Sequence, residues 1–137
     1  MATITAEDRE FLRAFEECTV AKSCWTHEAH VRMAWIVLNL EAGYGEGLAR
    51  IRKSIQRLNS AVESTGYHET LTVAFTQLIQ YRRQLGDSTW SYEEFLRNNE
   101  DLAVRSPLVL ARNYSSELLA QPASKGTFVA PDRRDCP

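Results

Sequence analysis

One stretch of this chain repeats its apolar residues with the period of an α-helix, and that repeat constrains the fold more than any other feature. Between Glu46 and Glu63, the basic and amide side chains fall on one side of a helix and the apolar ones on the other. The apolar set is Leu48, Ile51, Ile55, Leu58 and Val62. Such a helix buries one face against its neighbours. The repeat therefore predicts a helix over 46–63 that packs within a bundle.

Further helices of the same amphipathic kind are predicted elsewhere in the chain. Thr5 is expected to cap a first helix from about Ala6 to Cys18. Thr26 is expected to cap a second helix, which Gly43-Tyr44-Gly45 ends. A fourth helix is predicted from about His68 to Leu85. The expected fold is thus all-α, a compact up-down bundle of about four main helices.

The C-terminal part of the chain predicts shorter elements. Ser91 is expected to cap a short helix. Ser106-Pro107 should open another, because proline is favoured at the first helical position. Proline, glycine and charged residues after Gln121 predict an irregular tail from about residue 122. The length indicates a single helical domain over residues 1–137.

Composition and charge argue against several classes of protein. The 16 basic and 18 acidic residues leave a formal charge of −2, unlike the basic surface of a nucleic-acid binder. The longest apolar run, 33–38, is far shorter than the roughly 20 residues of a membrane helix. No signal-peptide pattern opens the sequence, and its three cysteines form no CxxC pair. We expect a cytoplasmic protein with no nucleic-acid or membrane partner, and the sequence is compatible with a homo-oligomer.

All three histidines lie at the starts of two predicted helices. The second helix opens Thr26-His27-Glu28-Ala29-His30, and the fourth opens Tyr67-His68-Glu69-Thr70. Residues three apart share a helix face, so His27 and His30 should stack on one side. One antiparallel helix separates helices two and four, which therefore run in the same direction. Their N-termini, and the three imidazoles, are expected to meet.

Imidazoles from neighbouring helices are a common way for a bundle to hold a metal. We therefore predict that His27, His30 and His68 bind a divalent transition metal. Zinc suits three histidines with an open position, whereas iron or manganese would suit the site if a carboxylate joined them. Glu28 and Glu69 are the candidate general bases, because each follows a histidine in a first helical turn.

Other side chains near the histidines are candidates for binding a small molecule. Tyr67 is expected to position a substrate. Trp35 could form the wall of a pocket, although an aromatic residue at helical spacing more often belongs to the core. Arg32 could hold a carboxylate or phosphate near the helix N-termini. Cys24 could supply a fourth metal ligand through the spacing Cys24-x2-His27-x2-His30.

Two functions remain open on this pattern. In the first, the chain is a metal-dependent enzyme that acts on a small molecule through the three-histidine site. In the second, it is a non-catalytic module that binds a small molecule or a partner protein, and its histidines only organise helix ends. The first predicts a bound metal that is lost with His68. The second predicts no metal and a loss of stability when the histidines are replaced.

Three segments resemble a family of small helical bacterial proteins. They are the Thr-His-x-x-His-x-x-x-Ala-Trp pattern at 26–35, Tyr-His-Glu-Thr at 67–70, and Phe-Val-Ala-Pro-Asp at 128–132. The likeness spans about residues 11–132 and implies a helical fold with the same histidines, without a defined activity. The arrangement is also similar to that of DinB-type bundles, which carry three metal-binding histidines at another spacing. That similarity implies a metal site at His27, His30 and His68.

Overall fold

The computed structural model describes residues 2–20, 27–61 and 68–103, together with Ala120, Pro122 and Lys125. These residues are largely helical and include no strand, which confirms the predicted all-α fold. The elements are α1 (Ala6–Glu16), α2 (His27–Leu40), α3 (Tyr44–Ala61), α4 (Glu69–Leu85), α5 (Tyr92–Arg97) and a 3-10 helix (Glu100–Ala103). Among them, no helix combines the length and the apolar character needed to cross a membrane.

Two helices begin with the same reciprocal cap. The Thr5 hydroxyl accepts a hydrogen bond from the Asp8 N–H, and the Asp8 carboxylate accepts one from the Thr5 N–H, each at 3.0 Å. Ser91 and Glu94 repeat this exchange at the start of α5. The cap satisfies backbone N–H groups that have no partner within the helix. The predicted caps at Thr5 and Ser91 are confirmed.

The first helix ends two residues earlier than the sequence predicts. Cys18, expected to be its last residue, has a φ of 60°, in the left-handed region. The Cys18 N–H donates to the Phe15 carbonyl at 3.1 Å, and the Thr19 N–H donates to the Ala14 carbonyl at 2.9 Å. These two bonds form a Schellman motif, in which glycine usually occupies the left-handed position. A cysteine backbone is strained in this conformation, and the periodicity of the sequence gives no sign of it.

The boundary between α2 and α3 also differs from the prediction. Gly43-Tyr44-Gly45 was expected to end the second helix, but α2 stops at Leu40 and α3 starts at Tyr44 rather than Glu46. The Gly47 N–H donates to the Gly43 carbonyl at 3.0 Å, so these glycines open a helix. Glycine is costly inside a helix, but here it lies in the first turn.

Part of the predicted C-terminal structure lies outside the described residues. The helix predicted from Ser106-Pro107 falls there entirely, as does most of the tail predicted from about residue 122. Pro122 and Lys125 are helical, so the prediction of irregular structure is wrong at these two positions. The prolines in this segment favour irregular structure, yet the fixed φ of proline, near −65°, is a helical value.

The central helix of the structure is α2. The helices α1, α3, α4 and α5 all contact it. The sequence predicts one inward stripe, but the middle of α2, over residues 33–38, is buried on every side. Its buried residues are Ala29, Val31, Met33, Ala34, Trp35, Ile36, Val37 and Leu38. A helix that is apolar all round is stable only inside a protein.

Contacts between α2 and α4 show that these helices run in the same direction. The rings of His27 and Phe75 meet edge to face at 5.1 Å between centroids. Further along both helices, the Arg83 Nη1 donates to the Asn39 Oδ1 at 3.2 Å. The contacts follow the same order in both helices, as the sequence predicts for helices separated by one antiparallel partner.

An arginine on α3 ties the outer helices together. The Arg50 Nε and Nη2 donate to the two carboxylate oxygens of Glu16 on α1, at 2.7 and 2.9 Å. Its Nη1 donates to Glu41, in the loop after α2, at 3.0 Å. The hydrogen bonds from Arg50 lower the pKa of Glu16. This bidentate pair fixes the contact between α1 and α3.

Two leucines test the placement of the core. Leu58 on α3 is 2% exposed, whereas Leu85 at the end of α4 is 67% exposed. We expect Leu58→Ala to lower the free energy of unfolding by about 2–5 kcal/mol, because it leaves a cavity. The matched change Leu85→Ala should cost less than about 0.5 kcal/mol. Urea unfolding measures both, and equal losses would contradict this core.

Candidate functional site

The structure brings the three histidines together on one pocket. This pocket lies between α2, α3 and α4 and has a volume of about 320 Å³. His27 and His30 reach it from the first turn of α2, and His68 from the position just before α4. We call it the histidine pocket. All three histidines thus line the same pocket, at the end of the bundle where helix direction places the starts of α2 and α4.

The remaining wall of the histidine pocket is mostly apolar. Its apolar residues are Val31, Ala34, Ile51, Ile55, Leu71, Phe75 and Ile79. Asn59, Thr72 and Thr76 add polar groups. The Thr72 hydroxyl donates to the His68 carbonyl at 2.9 Å, and the Thr76 hydroxyl donates to the Thr72 carbonyl at 2.7 Å. Because both hydroxyl protons are donated to nearby backbone carbonyls, the threonines can offer a ligand only acceptor oxygens.

The two histidines of α2 are held by groups outside the pocket. His27 Nε2 lies 2.8 Å from the carbonyl oxygen of Leu102, in the 3-10 helix. A carbonyl only accepts, so this nitrogen carries a proton, and in a neutral ring Nδ1 keeps a lone pair. The ring of His30 meets Phe15 of α1 edge to face at 5.4 Å. The 3-10 helix, which the sequence did not predict, therefore sets the tautomer of His27.

His68 is the N-cap of α4, and its ring binds a backbone N–H group of that helix. Its Nδ1 accepts a hydrogen bond from the Leu71 N–H at 3.2 Å. A neutral ring with an acceptor at Nδ1 carries its proton on Nε2, so no lone pair is left there. His68 would have to leave the cap to bind a metal. No group of three His, Cys, Asp or Glu residues in the described ranges is arranged to hold a metal ion.

Neither candidate general base lines the histidine pocket. Glu69 accepts a hydrogen bond from the Arg52 Nε at 2.9 Å, and its side chain is only 12% exposed. Glu28 is exposed and lines a different pocket. Tyr67, predicted to position a substrate, lies outside the described residues, as does Cys24. The structure therefore separates the glutamates from the imidazoles that precede them in sequence.

Arg32 and Glu28 line a second pocket, between α1, α2 and α5, with a volume of about 600 Å³. Arg32 donates to the buried carboxylate of Asp8 at 2.9 Å, and its guanidinium lies 4.4 Å from the centre of the Phe11 ring. The charge of Arg32, predicted to hold an anion, is thus matched within the protein. The nearby hydroxyl of Tyr92 is buried and has no hydrogen-bond partner among the described residues. Burial and the charge of Glu28 raise the pKa of Tyr92.

Trp35 belongs to the core. It is 1% exposed, and its ring lies 5.6 Å from that of Tyr92 and 6.0 Å from that of Phe95. The structure does not bring it to the histidine pocket. Asn59, which does line that pocket, was not a candidate. It lies four residues after Ile55, on the same face of α3, so the helical spacing could have identified it.

The capping role of His68 predicts how its substitutions affect stability. His68→Ala removes the acceptor for the Leu71 N–H and should lower the free energy of unfolding by about 0.5–2 kcal/mol. His68→Asn keeps a side-chain acceptor at the N-cap and should lose much less. Thermal and urea unfolding of the three proteins measures both effects. Equal losses in the two variants would show that the ring does not act as a cap.

Comparisons with protein-family models, curated proteins and solved structures find no match for this chain. The resemblance to small helical bacterial proteins and to DinB-type bundles therefore stays a prediction from the motifs. The cytoplasmic location and the partners expected from composition also stay predictions.

Proposed function

We propose that this chain binds a small organic molecule in the histidine pocket. The observation that carries the proposal is that three helices form one pocket with an apolar wall and three imidazoles. Small-molecule sites typically have about 300–1,000 Å³ and a few polar groups in an apolar lining. A volume of about 320 Å³ lies at the lower end of this range and favours a ligand built on one ring.

The polar groups of the pocket favour a neutral ligand that carries a hydroxyl. His27 donates to Leu102, so a neutral ring can offer Nδ1 as an acceptor. Thr72 and Thr76 likewise offer acceptor oxygens, because their protons are used within α4. A hydroxyl proton would have an acceptor there, while Leu71 and Phe75 contact the apolar part of the ligand. No carboxylate or guanidinium of a described residue lines this pocket to bind a charged group.

The positions of the glutamates favour binding over catalysis. Glu69 is paired with Arg52, and Glu28 lies on the other side of α2. Neither can take a proton from a molecule in the histidine pocket without a rearrangement, since a base must be within hydrogen-bond reach of its proton. The non-catalytic module is therefore the function that we propose first.

The small phenol p-cresol is a direct probe of this proposal, because it has one ring and one hydroxyl. We expect p-cresol to bind saturably and to shift the methyl resonances of Ile55, Leu71 and Ile79 in NMR spectra. Ile55→Trp should fill the pocket and weaken binding at least tenfold, by about 1.4 kcal/mol or more. The control Leu85→Trp adds the same ring to an exposed position and should bind p-cresol normally. Its position is well exposed, at 67%.

Two results would contradict the proposal. One is the absence of saturable binding of p-cresol to the wild-type protein. The other is unchanged binding to Ile55→Trp when the spectrum of that variant shows a folded protein. In the second case p-cresol would bind elsewhere, and the histidine pocket would not be its site.

The metal-dependent enzyme is the second candidate, because three imidazoles line the same pocket. The ring of His27 supports it: metal-binding histidines usually donate their other N–H to a carbonyl or carboxylate, as His27 does to Leu102. His27, His30 and His68 would hold zinc, or iron or manganese with a carboxylate. The metal would supply Lewis-acid chemistry to a bound small molecule. This candidate requires His68 to give up its cap on α4.

Elemental analysis separates the two candidates. Wild-type protein and His68→Asn are incubated with zinc, iron(II) or manganese(II), desalted and analysed for metal and protein. A metal site predicts one equivalent in the wild type and a loss in the variant, which keeps its helix cap and its fold. An equal metal content in both proteins, including none in either, would contradict a site built on His68.

A further inference from the structure

Arg83, near the end of α4, differs from the other partly buried arginines in the described ranges. Each of the others forms an ion pair with a carboxylate: Arg32 with Asp8, Arg50 with Glu16 and Glu41, Arg52 with Glu69, and Arg82 with Asp101. Among the described residues, Arg83 donates only to neutral amides. Its Nε and Nη2 bind the Gln80 Oε1 at 3.1 and 3.0 Å, and its Nη1 binds the Asn39 Oδ1 at 3.2 Å.

Arg83 has more N–H groups than its hydrogen bonds use. A guanidinium has five N–H groups, and three of them are used by Gln80 and Asn39. The other two have no acceptor in the part of the chain that the structure describes. Burial also lowers the pKa of Arg83, since removing a cation from water disfavours its charge. Within the described part of the chain, Arg83 is thus a partly desolvated cation with two unused N–H donors and no carboxylate partner.

Arg83 lines a third pocket, of about 230 Å³, which we call the Arg83 pocket. Its lining includes Asn39, Arg83, Gly86 and Trp90, together with Trp35 and Phe95 from the core. The Trp90 ring packs so closely on Gly86 that a Cβ atom there would overlap it. A hydrogen bond of 3.1 Å from the Thr3 N–H to the Trp90 carbonyl holds this segment in place.

One carboxylate of the protein also lines the Arg83 pocket. Asp87 is exposed, and it accepts hydrogen bonds from the N–H and the hydroxyl of Thr89 at 2.8 and 2.6 Å. It forms no ion pair with Arg83, because no N···O distance between them is within 4.0 Å. The charge of Arg83 is therefore not neutralised within the pocket.

We propose that the Arg83 pocket binds the carboxylate of a small aromatic acid. The two oxygens of a carboxylate match two N–H donors, and such charge-assisted bonds are among the strongest in proteins. The rings of Trp90, Trp35 and Phe95 provide an apolar wall for the rest of the molecule. A cavity of about 150 Å³ admits benzene, so about 230 Å³ accommodates a ring and its carboxylate. This site is separate from the histidine pocket and does not rest on the function proposed for it.

Benzoate and benzamide form a matched pair of probes, since they have nearly the same shape and differ in charge. Titrations are followed by NMR through the indole N–H of Trp90 and the backbone N–H of Gly86. We expect benzoate to bind saturably and benzamide at least tenfold more weakly, as a bond to a charged group contributes more than one between neutral groups. Arg83→Gln should lose benzoate binding to the same extent.

Arg82→Gln is the control, because it removes a neighbouring arginine that does not line the pocket. It should bind benzoate like the wild type. If Arg83→Gln does not fold, Arg83→Lys replaces it and should weaken benzoate binding while keeping the charge. The proposal is overturned if benzoate does not bind, if benzamide binds equally well, or if the folded Arg83 variant is unaffected. It is also overturned if only the amides of Leu71 and Thr72, at the histidine pocket, shift.

Discussion

The burial of the middle of α2 on every side is the constraint on which the rest of the structure depends. Met33, Ile36 and Val37 are fully buried, in addition to the helically spaced apolar residues Val31, Ala34, Trp35 and Leu38. A helix with apolar groups all round its middle must be enclosed, and here α1, α3, α4 and α5 enclose it. The more polar first turn of α2 then lies between two sets of neighbours. His27 and His30 face the pocket with α3 and α4, and the side that carries Arg32 faces α1 and α5.

Much of this arrangement follows from local signals in the sequence. The caps at Thr5 and Ser91 are recognisable because each has an acidic residue three positions later. The convergence of the histidines follows from helix direction alone, since α2 and α4 are separated by one antiparallel helix. Local signals fail where two tendencies compete. The glycines at 43 and 45 signal a helix end, but they lie where the next helix starts, and the left-handed Cys18 lacks the glycine that usually marks such a turn.

The chemistry at the site was harder to predict because it depends on partners from distant parts of the chain. Glu28 follows His27 directly, but successive residues of a helix point about 100° apart, so it lines another pocket. Glu69 pairs with Arg52, 17 positions earlier in the chain, and this pairing has no local signature. The tautomer of His27 is set by Leu102, 75 positions away. Residue type and spacing thus identified which histidines line one pocket, but not which of their nitrogens remain available.

The two ends of α4 show how one helix can hold two chemically different groups. At its N-terminus, backbone N–H groups lack helical partners, and the His68 ring accepts from one of them. A proton on Nδ1 would break that bond, so the cap favours the tautomer protonated on Nε2. At its C-terminus, the helix dipole stabilises a cation by about 0.3–1 kcal/mol. Arg83 lies in this last turn, so the dipole offsets part of its desolvation without occupying its N–H donors. Arg83 therefore stays charged beside neutral amides, and two of its N–H groups have no acceptor among the described residues.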